Sequence, residues 1–188
     1  MIYKFLDIPD YSLISDKVYN YILNDTDILT SNAIWNWTNQ EEVLDKVPEL
    51  KLALDNLQLE VQRISIVKAN PGSNIRMHID WDKEPRILWP IRNCQGSYTK
   101  FFRVAPANII EQRGVKGDTY YLITQPELAE QIDSLELTSP VLFTPWVAHG
   151  VWTNPACNDP RLTMTIKFKT NTDFGMDLEK YTLNKVDE

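Results

Sequence analysis

Two different spacings of apolar side chains divide the chain. Ile14, Val18, Tyr21 and Ile22 recur every three to four positions after Pro9-Asp10, which predicts an amphipathic helix over residues 10–24. Residues 38–46 and 48–56 predict two shorter helices, because proline suits the first turn of a helix and not its interior. The stretch between Ile28 and Thr38, with Trp35 and Trp37, follows no regular period. From Leu57 onward the texture changes to short runs of Val, Ile, Thr, Phe, Tyr and Trp broken by Pro, Gly and Asn. Strands are predicted at 59–69, 74–82, 86–94, 97–104, 118–124, 137–144, 147–153 and 161–169. Turn signals stand at Asn70-Pro71-Gly72, Gln95-Gly96, Gly117-Asp118 and Asn154-Pro155. Such a set of strands in one chain fits a jelly roll or a small barrel, with a short helix over 126–133 inserted between two strands. The expected organisation is a single domain over 1–188: helical support at 1–57, a β core at 58–170 and a polar tail at 171–188.

Two strands alternate cleanly enough to assign faces. Ile75, Met77, Ile79 and Trp81 should share one face of their strand, and Arg76, His78, Asp80 and Asp82 the other. In the last strand Leu162, Met164, Ile166 and Phe168 oppose Arg161, Thr163, Thr165, Lys167 and Lys169. The plainest expectation for both is an antiparallel sheet with one wet side. A sharper one starts from His78-Ile79-Asp80, whose histidine and carboxylate project side by side. One more imidazole from a neighbouring strand completes a two-histidine, one-carboxylate triad that leaves positions open on Fe(II). The chain holds only 2 histidines, so His149 is the sole candidate for that ligand. With 26 acidic residues a His-x-Asp is an easy coincidence, and the surrounding pattern has to carry the weight.

Composition narrows the field. An apolar share of 43% is that of a globular protein, and no run approaches the ~20 apolar residues of a membrane helix. Residues 1–7 show neither a long apolar run nor a small-residue cleavage site, so a protein made and kept in the cytoplasm is expected, with no membrane partner. A net charge of −7 repels phosphate backbones and argues against nucleic acid as partner. Cys94 and Cys157 form no CxxC pattern, which suits a reducing compartment. Together with the histidines they match no compact zinc motif.

His78-x-Asp80, then His149 in Pro145-Trp146-Val147-Ala148-His149-Gly150, then Arg161-Leu162-Thr163 on the next strand, stand in an order that resembles the 2-oxoglutarate/Fe(II)-dependent oxygenases. The resemblance spans roughly residues 59–169. Residues 86–94 look like the strand after the His-x-Asp motif in short members akin to aspartyl/asparaginyl β-hydroxylases or of phage or bacterial type. It implies a mainly β, double-stranded β-helix (a cupin-like jelly roll) with the N-terminal helices packed on one sheet. It further implies Fe(II) held by His78, Asp80 and His149 as the catalytic centre, with 2-oxoglutarate as co-substrate. The co-substrate's distal carboxylate would pair with Arg161, whose guanidinium offers a planar fork, with the Thr163 hydroxyl adding a hydrogen bond. The gap from His149 to Arg161 is longer than is common in the family, which keeps Arg86 and Arg92 open as alternative anchors.

The implied activity is a hydroxylase acting on a small molecule or a peptide side chain. Two other classes share the pattern: a jelly-roll binding or structural module without turnover, and a cupin-type metalloenzyme that uses the triad without 2-oxoglutarate. Trp81, Trp89, Trp146 and Trp152 flank the candidate ligands and would be core or pocket wall. Tyr98, Tyr120 and Tyr121 are candidate hydroxyl donors, and Asp82 a substitute carboxylate. Substrate identity and oligomeric state lie in surface loops and edges that the pattern does not fix.

Overall fold

A computed structural model describes residues 2–80, 84–113 and 119–169. Trp81, Asp82, the Gly117-Asp118 turn and the polar tail lie outside the described residues. The elements in order are β1 (Tyr3–Phe5), α1 (Tyr11–Asp25), β2 (Trp35–Trp37), α2 (Gln40–Lys46), α3 (Pro48–Asn56), β3 (Glu60–Ala69), β4 (Asn74–Asp80), β5 (Arg86–Arg92), β6 (Tyr98–Arg103), β7 (Ile109–Arg113), β8 (Thr119–Ile123), β9 (Glu130–Glu136), β10 (Val141–Phe143), β11 (Ala148–Trp152) and β12 (Arg161–Lys169). They form a mainly β structure of two antiparallel sheets, ordered β1-β10-β5-β12-β3-β2 and β7-β8-β4-β11-β6-β9.

Among the described residues the helices α1, α2 and α3 cover the outer face of the first sheet. Ile14, Val18 and Ile22 of α1, Val43 of α2 and Leu50 and Leu54 of α3 pack against Ile64, Ile66, Ile87, Trp89, Met164, Ile166 and Phe168. Each such large apolar side chain, fully buried, contributes on the order of 1.5–3 kcal/mol. The Ser15 hydroxyl ties α1 to the sheet, accepting from the Trp89 indole at 3.0 Å and lying 2.7 Å from the Pro90 carbonyl. At the start of α2, Asn39 caps the amides of Glu41 and Glu42. Pro48 opens α3.

The inner face of that sheet meets the second sheet, and here the expectation of a wet polar side fails. Arg161 and Thr163 are only 4% and 2% exposed. With helices on one face and a second sheet on the other, both sides of β12 are interior at that end. The interior holds two apolar clusters, one around Ile2, Phe101, Val141 and Phe143 and another of Val67, Ala69, Ile75 and Val151.

Four other expectations change. Residues 126–133 are not a helix: a 3-10 turn at Pro126–Leu128 leads straight into β9. The strand expected over 137–144 is confined to β10. Strands β1, β2 and β7 arise where no strand is predicted; β1 and β2 are three residues each, too short to show a period, and close the two edges of the first sheet. In β4 the alternation breaks. His78 pairs with His149 and Ile75 with Val151, so two residues of β4 stand against Gly150 alone. This bulge turns Ile75 inward, to Val67 and Val151, whereas Met77 and Ile79 face the outer side of the second sheet with Trp146 and Phe102.

Candidate metal centre

The same bulge delivers His78 to the interior beside His149. The two strands place these residues directly opposite each other, with ring centroids 4.4 Å apart. Asp80, two residues on, brings its Oδ1 to 3.6 Å from His78 Nε2. One ligand atom from each of His78, Asp80 and His149 lies within 4.8 Å of the other two. Among the described residues this is the only such group, and neither cysteine belongs to it.

Each imidazole is oriented in the same way. Nδ1 of His78 lies 2.8 Å from the carbonyl of Arg76, and Nδ1 of His149 lies 2.8 Å from that of Val147. A carbonyl only accepts, so Nδ1 carries a proton in both rings, and Nε2 is the atom turned toward the other two side chains. That is the outer-shell arrangement of metal-binding histidines. Burial pushes the His149 pKa down to about 4, and His78 beside it acts in the same direction, so the ring is neutral at pH 7. Phe143, edge-on at 5.6 Å, and Phe101 at 6.3 Å wall His149 from water.

The arginines separate clearly. Arg86, on the inner face of β5, donates from Nη1 to Asp80 Oδ2 at 3.1 Å, fixing the carboxylate while Oδ1 faces His78. Arg92 lies on the helix side, pairing with Asp16 at 2.6 Å and stacking over Tyr19 at 4.6 Å, with the first sheet between it and the triad. Arg161 is buried on the inner face of β12, next to Thr163's face of the strand. Among the described residues no carboxylate pairs with Arg161, and its Nε has no hydrogen-bond partner. Burial lowers its pKa, opposed by the neighbouring Cys94 thiol, which is itself raised chiefly by burial. A buried cation without a counter-charge is costly, and the arrangement fits an anionic ligand.

Of the aromatic candidates, Tyr120 stands across from Asp80 on β8 and shares its face. Tyr121 packs on the outer side of the second sheet with Trp146 and Trp152, Tyr98 is paired across from Trp152, and Trp89 belongs to the helix-side core. The tryptophan beside the triad is one that periodicity missed: Trp35, whose ring centroid is 6.2 Å from that of His78. The alternation Trp35-Asn36-Trp37 was its only signal, with Asn36 buried and both tryptophans partly exposed.

No family model and no curated protein matches the chain. Solved structures do. The epimerase SnoN, in complex with Fe3+, alpha ketoglutarate and nogalamycin RO, superposes with a TM-score of 0.54 at 7% identity, over 87% of this chain and 75% of its own. The non-haem monooxygenase ThoJ, as a nickel complex, gives 0.51 at 11% identity over 88% of this chain and 72% of its own; without metal it gives 0.53 at 13%. At these identities the likeness is one of fold. No helix among the described residues is long and apolar enough to cross a membrane.

Proposed function

We propose that the chain is a non-haem Fe(II)- and 2-oxoglutarate-dependent oxygenase, a hydroxylase, on a double-stranded β-helix core. His78, Asp80 and His149 hold the iron, and Arg161, with Thr163 beside it, holds the distal carboxylate of 2-oxoglutarate. The observation that carries this reading is the pairing of two features between the same two sheets. One is a His-Asp-His cluster in which both Nδ1 atoms face backbone carbonyls and both Nε2 atoms face the cluster; the other is a buried guanidinium with no carboxylate partner among the described residues. Either alone has simpler explanations, but a carboxylate-bearing metal chelator accounts for both. The fold is shared with proteins described as binding iron and alpha ketoglutarate, or as non-haem monooxygenases, which supports the same choice.

Iron, oxygen and 2-oxoglutarate together supply the oxidation, with loss of carbon dioxide from the co-substrate. The protein's own residues set the stage for it. The carbonyls of Arg76 and Val147 hold the two imidazoles in the ligating tautomer. Arg86 holds Asp80 by one oxygen, leaving the other for metal. Phe101 and Phe143 keep water from the His149 side. Arg161 and Thr163 fix the co-substrate's far end, so its chelating end is presented in one orientation.

The test is an anaerobic Fe(II) titration of the metal-free chain with 2-oxoglutarate, read by the visible metal-to-ligand charge-transfer band. A band that needs both ligands and disappears in His78→Ala is the expected result. Absence of any band, together with no thermal stabilisation by either ligand, would leave a metal-free binding module instead.

A further inference from the structure

The first sheet's inner face changes character along β12. Arg161 and Thr163 are buried, but Thr165 and Lys167, further along the same face, are half-exposed, as are Ser65 and Arg63 opposite them on β3. The two sheets therefore part toward the Lys167 end, and the floor of the gap is the sheet itself. The triad lies beside this floor: Asp80 reaches Arg86, which pairs with Lys167 across the sheet, and His78 faces Trp35, which pairs with Val67.

Edge strand β2 flanks this floor at the level of Ser65 and Val67. Trp35 and Trp37, two residues apart, point to the same side as Ser65 and Val67, and are 37% and 47% exposed. Partly exposed indoles beside an interior polar centre offer a flat, apolar partner a surface to lie against. Over the Trp37 ring, 5.3 Å from its centroid, sits the Arg63 guanidinium. Arg86 is matched by Asp80 and Lys167 by Glu84, yet among the described residues no carboxylate pairs with Arg63. In a chain of net charge −7, a half-exposed arginine with no carboxylate partner among the described residues is a local reversal of field.

Arg63 and Arg161 also lie at opposite ends of the floor. Lys167 is the register partner of Arg63 and lies six residue steps along β12 from Arg161, roughly 20 Å. The triad contacts lie along this floor, at Trp35, level with Thr163 through Val67, and at Arg86, level with Lys167 and so with Arg63. The Arg161 end is buried, whereas the Arg63 end, level with Arg86 and its partner Asp80, is half-exposed.

We propose that Arg63, Trp37 and Trp35 form the substrate subsite, and that the substrate is a flat, largely apolar molecule carrying one anionic group, a carboxylate or a phosphate. The apolar body lies along the two indoles and the anion reaches Arg63, bringing the near end toward His78. Assigning this ligand as substrate rests on the oxygenase reading; the binding preference itself does not.

Calorimetric titration of the full chain tests it, with Fe(II) and saturating 2-oxoglutarate under anaerobic conditions and again without metal. Saturation fills the Arg161 site, so added anions report on Arg63. The probes are indole-3-propionate against indole-3-propionamide, and phenyl phosphate against phenol. At least one anionic probe should bind about tenfold or more tightly than its neutral counterpart, as one charge-assisted guanidinium contact provides. Which pair shows the preference separates carboxylate from phosphate. Arg63→Gln should bring the preference to about twofold or less, Arg63→Lys should keep part of it, and Trp35→Ala should weaken charged and neutral probes alike. Neutral probes binding as tightly as anionic ones, or a preference untouched by Arg63→Gln, would overturn the proposal. The charge-transfer band, read in the same samples, separates the two readings. A preference without a band keeps this subsite and removes the oxygenase. A band without a preference does the reverse.

Discussion

Gly150 is the residue on which the two histidines' alignment turns. It sits in β11 between His149 and Val151, where β4 carries its extra residue, and a Cβ placed there would lie 2.9 Å from the Ile75 carbonyl oxygen and 3.0 Å from Cζ3 of Trp152. The indole can rotate a little, but the carbonyl belongs to a paired strand and can only move with it. Gly150→Ala must therefore displace β4 by several tenths of an ångström at the bulge, an overpacking cost of about 2 kcal/mol. In a chain of this size that lowers the melting temperature by roughly 4–8 °C. The displaced segment runs into His78, and metal sites tolerate only about 0.2 Å in ligand distance, so metal affinity should fall by tenfold or more. Both effects are read in one thermal-shift experiment with and without excess Fe(II) under anaerobic conditions. A tenfold weaker site reduces the metal-induced stabilisation by about 1.4 kcal/mol. If the variant melts within a degree of the parent and gains as much from metal, the close approach at Gly150 does not set the register, and the account of how His78 is positioned is wrong.

Two further outcomes follow from buried charge. Arg161→Met removes a buried cation that has no carboxylate partner among the described residues, so the metal-free chain should become more stable, by about 1–3 kcal/mol in urea unfolding, while 2-oxoglutarate binding is lost; a destabilised variant would mean that an acid outside the described residues already neutralises it. His149, held neutral with a pKa of about 4 against 6.5 when unfolded, makes the unfolded chain take up its proton first as pH falls. Its contribution is intact above about pH 6.5 and is lost progressively down to about pH 4, up to roughly 3 kcal/mol. The metal-free parent should accordingly lose more stability between pH 7.5 and 4.5 than His149→Gln does, and parallel declines in the two proteins would refute the shift.

How much of this was legible in the residues depends on which signal each feature leaves. Helix α1 and the long strands β3, β5 and β12 bury one face against an apolar layer, and that burial imposes the period by which they are recognised. The His-x-Asp pair was legible because a strand's parity holds over two residues. The same parity failed three residues earlier, at Ile75, because a bulge is set by its partner strand: nothing in Asn74-Ile75-Arg76-Met77 announces that Gly150, seventy-odd positions later, will face two of them. Strands β1 and β2 were invisible for a related reason. Three residues show no period, and their pairing with β10 and β3 is decided by the sheet edges they cover.

The polar face of β12 is the most instructive failure, because its residue pattern was read correctly and its environment was not. Arg161, Thr163, Thr165 and Lys167 alternate with core residues as they would on a solvated sheet, and local sequence contains no term for what lies across the sandwich. Only the second sheet converts the first two into buried groups and leaves the last two half-open. Burying an arginine without an acid costs stability that a purely structural face would recover by placing an apolar residue there. A chain that keeps Arg161 inside without a described acid gives up folding free energy beside an interior polar centre, with Arg63 half-exposed on the same sheet face, and binding anionic ligands is the physical use that the two arginines have in common.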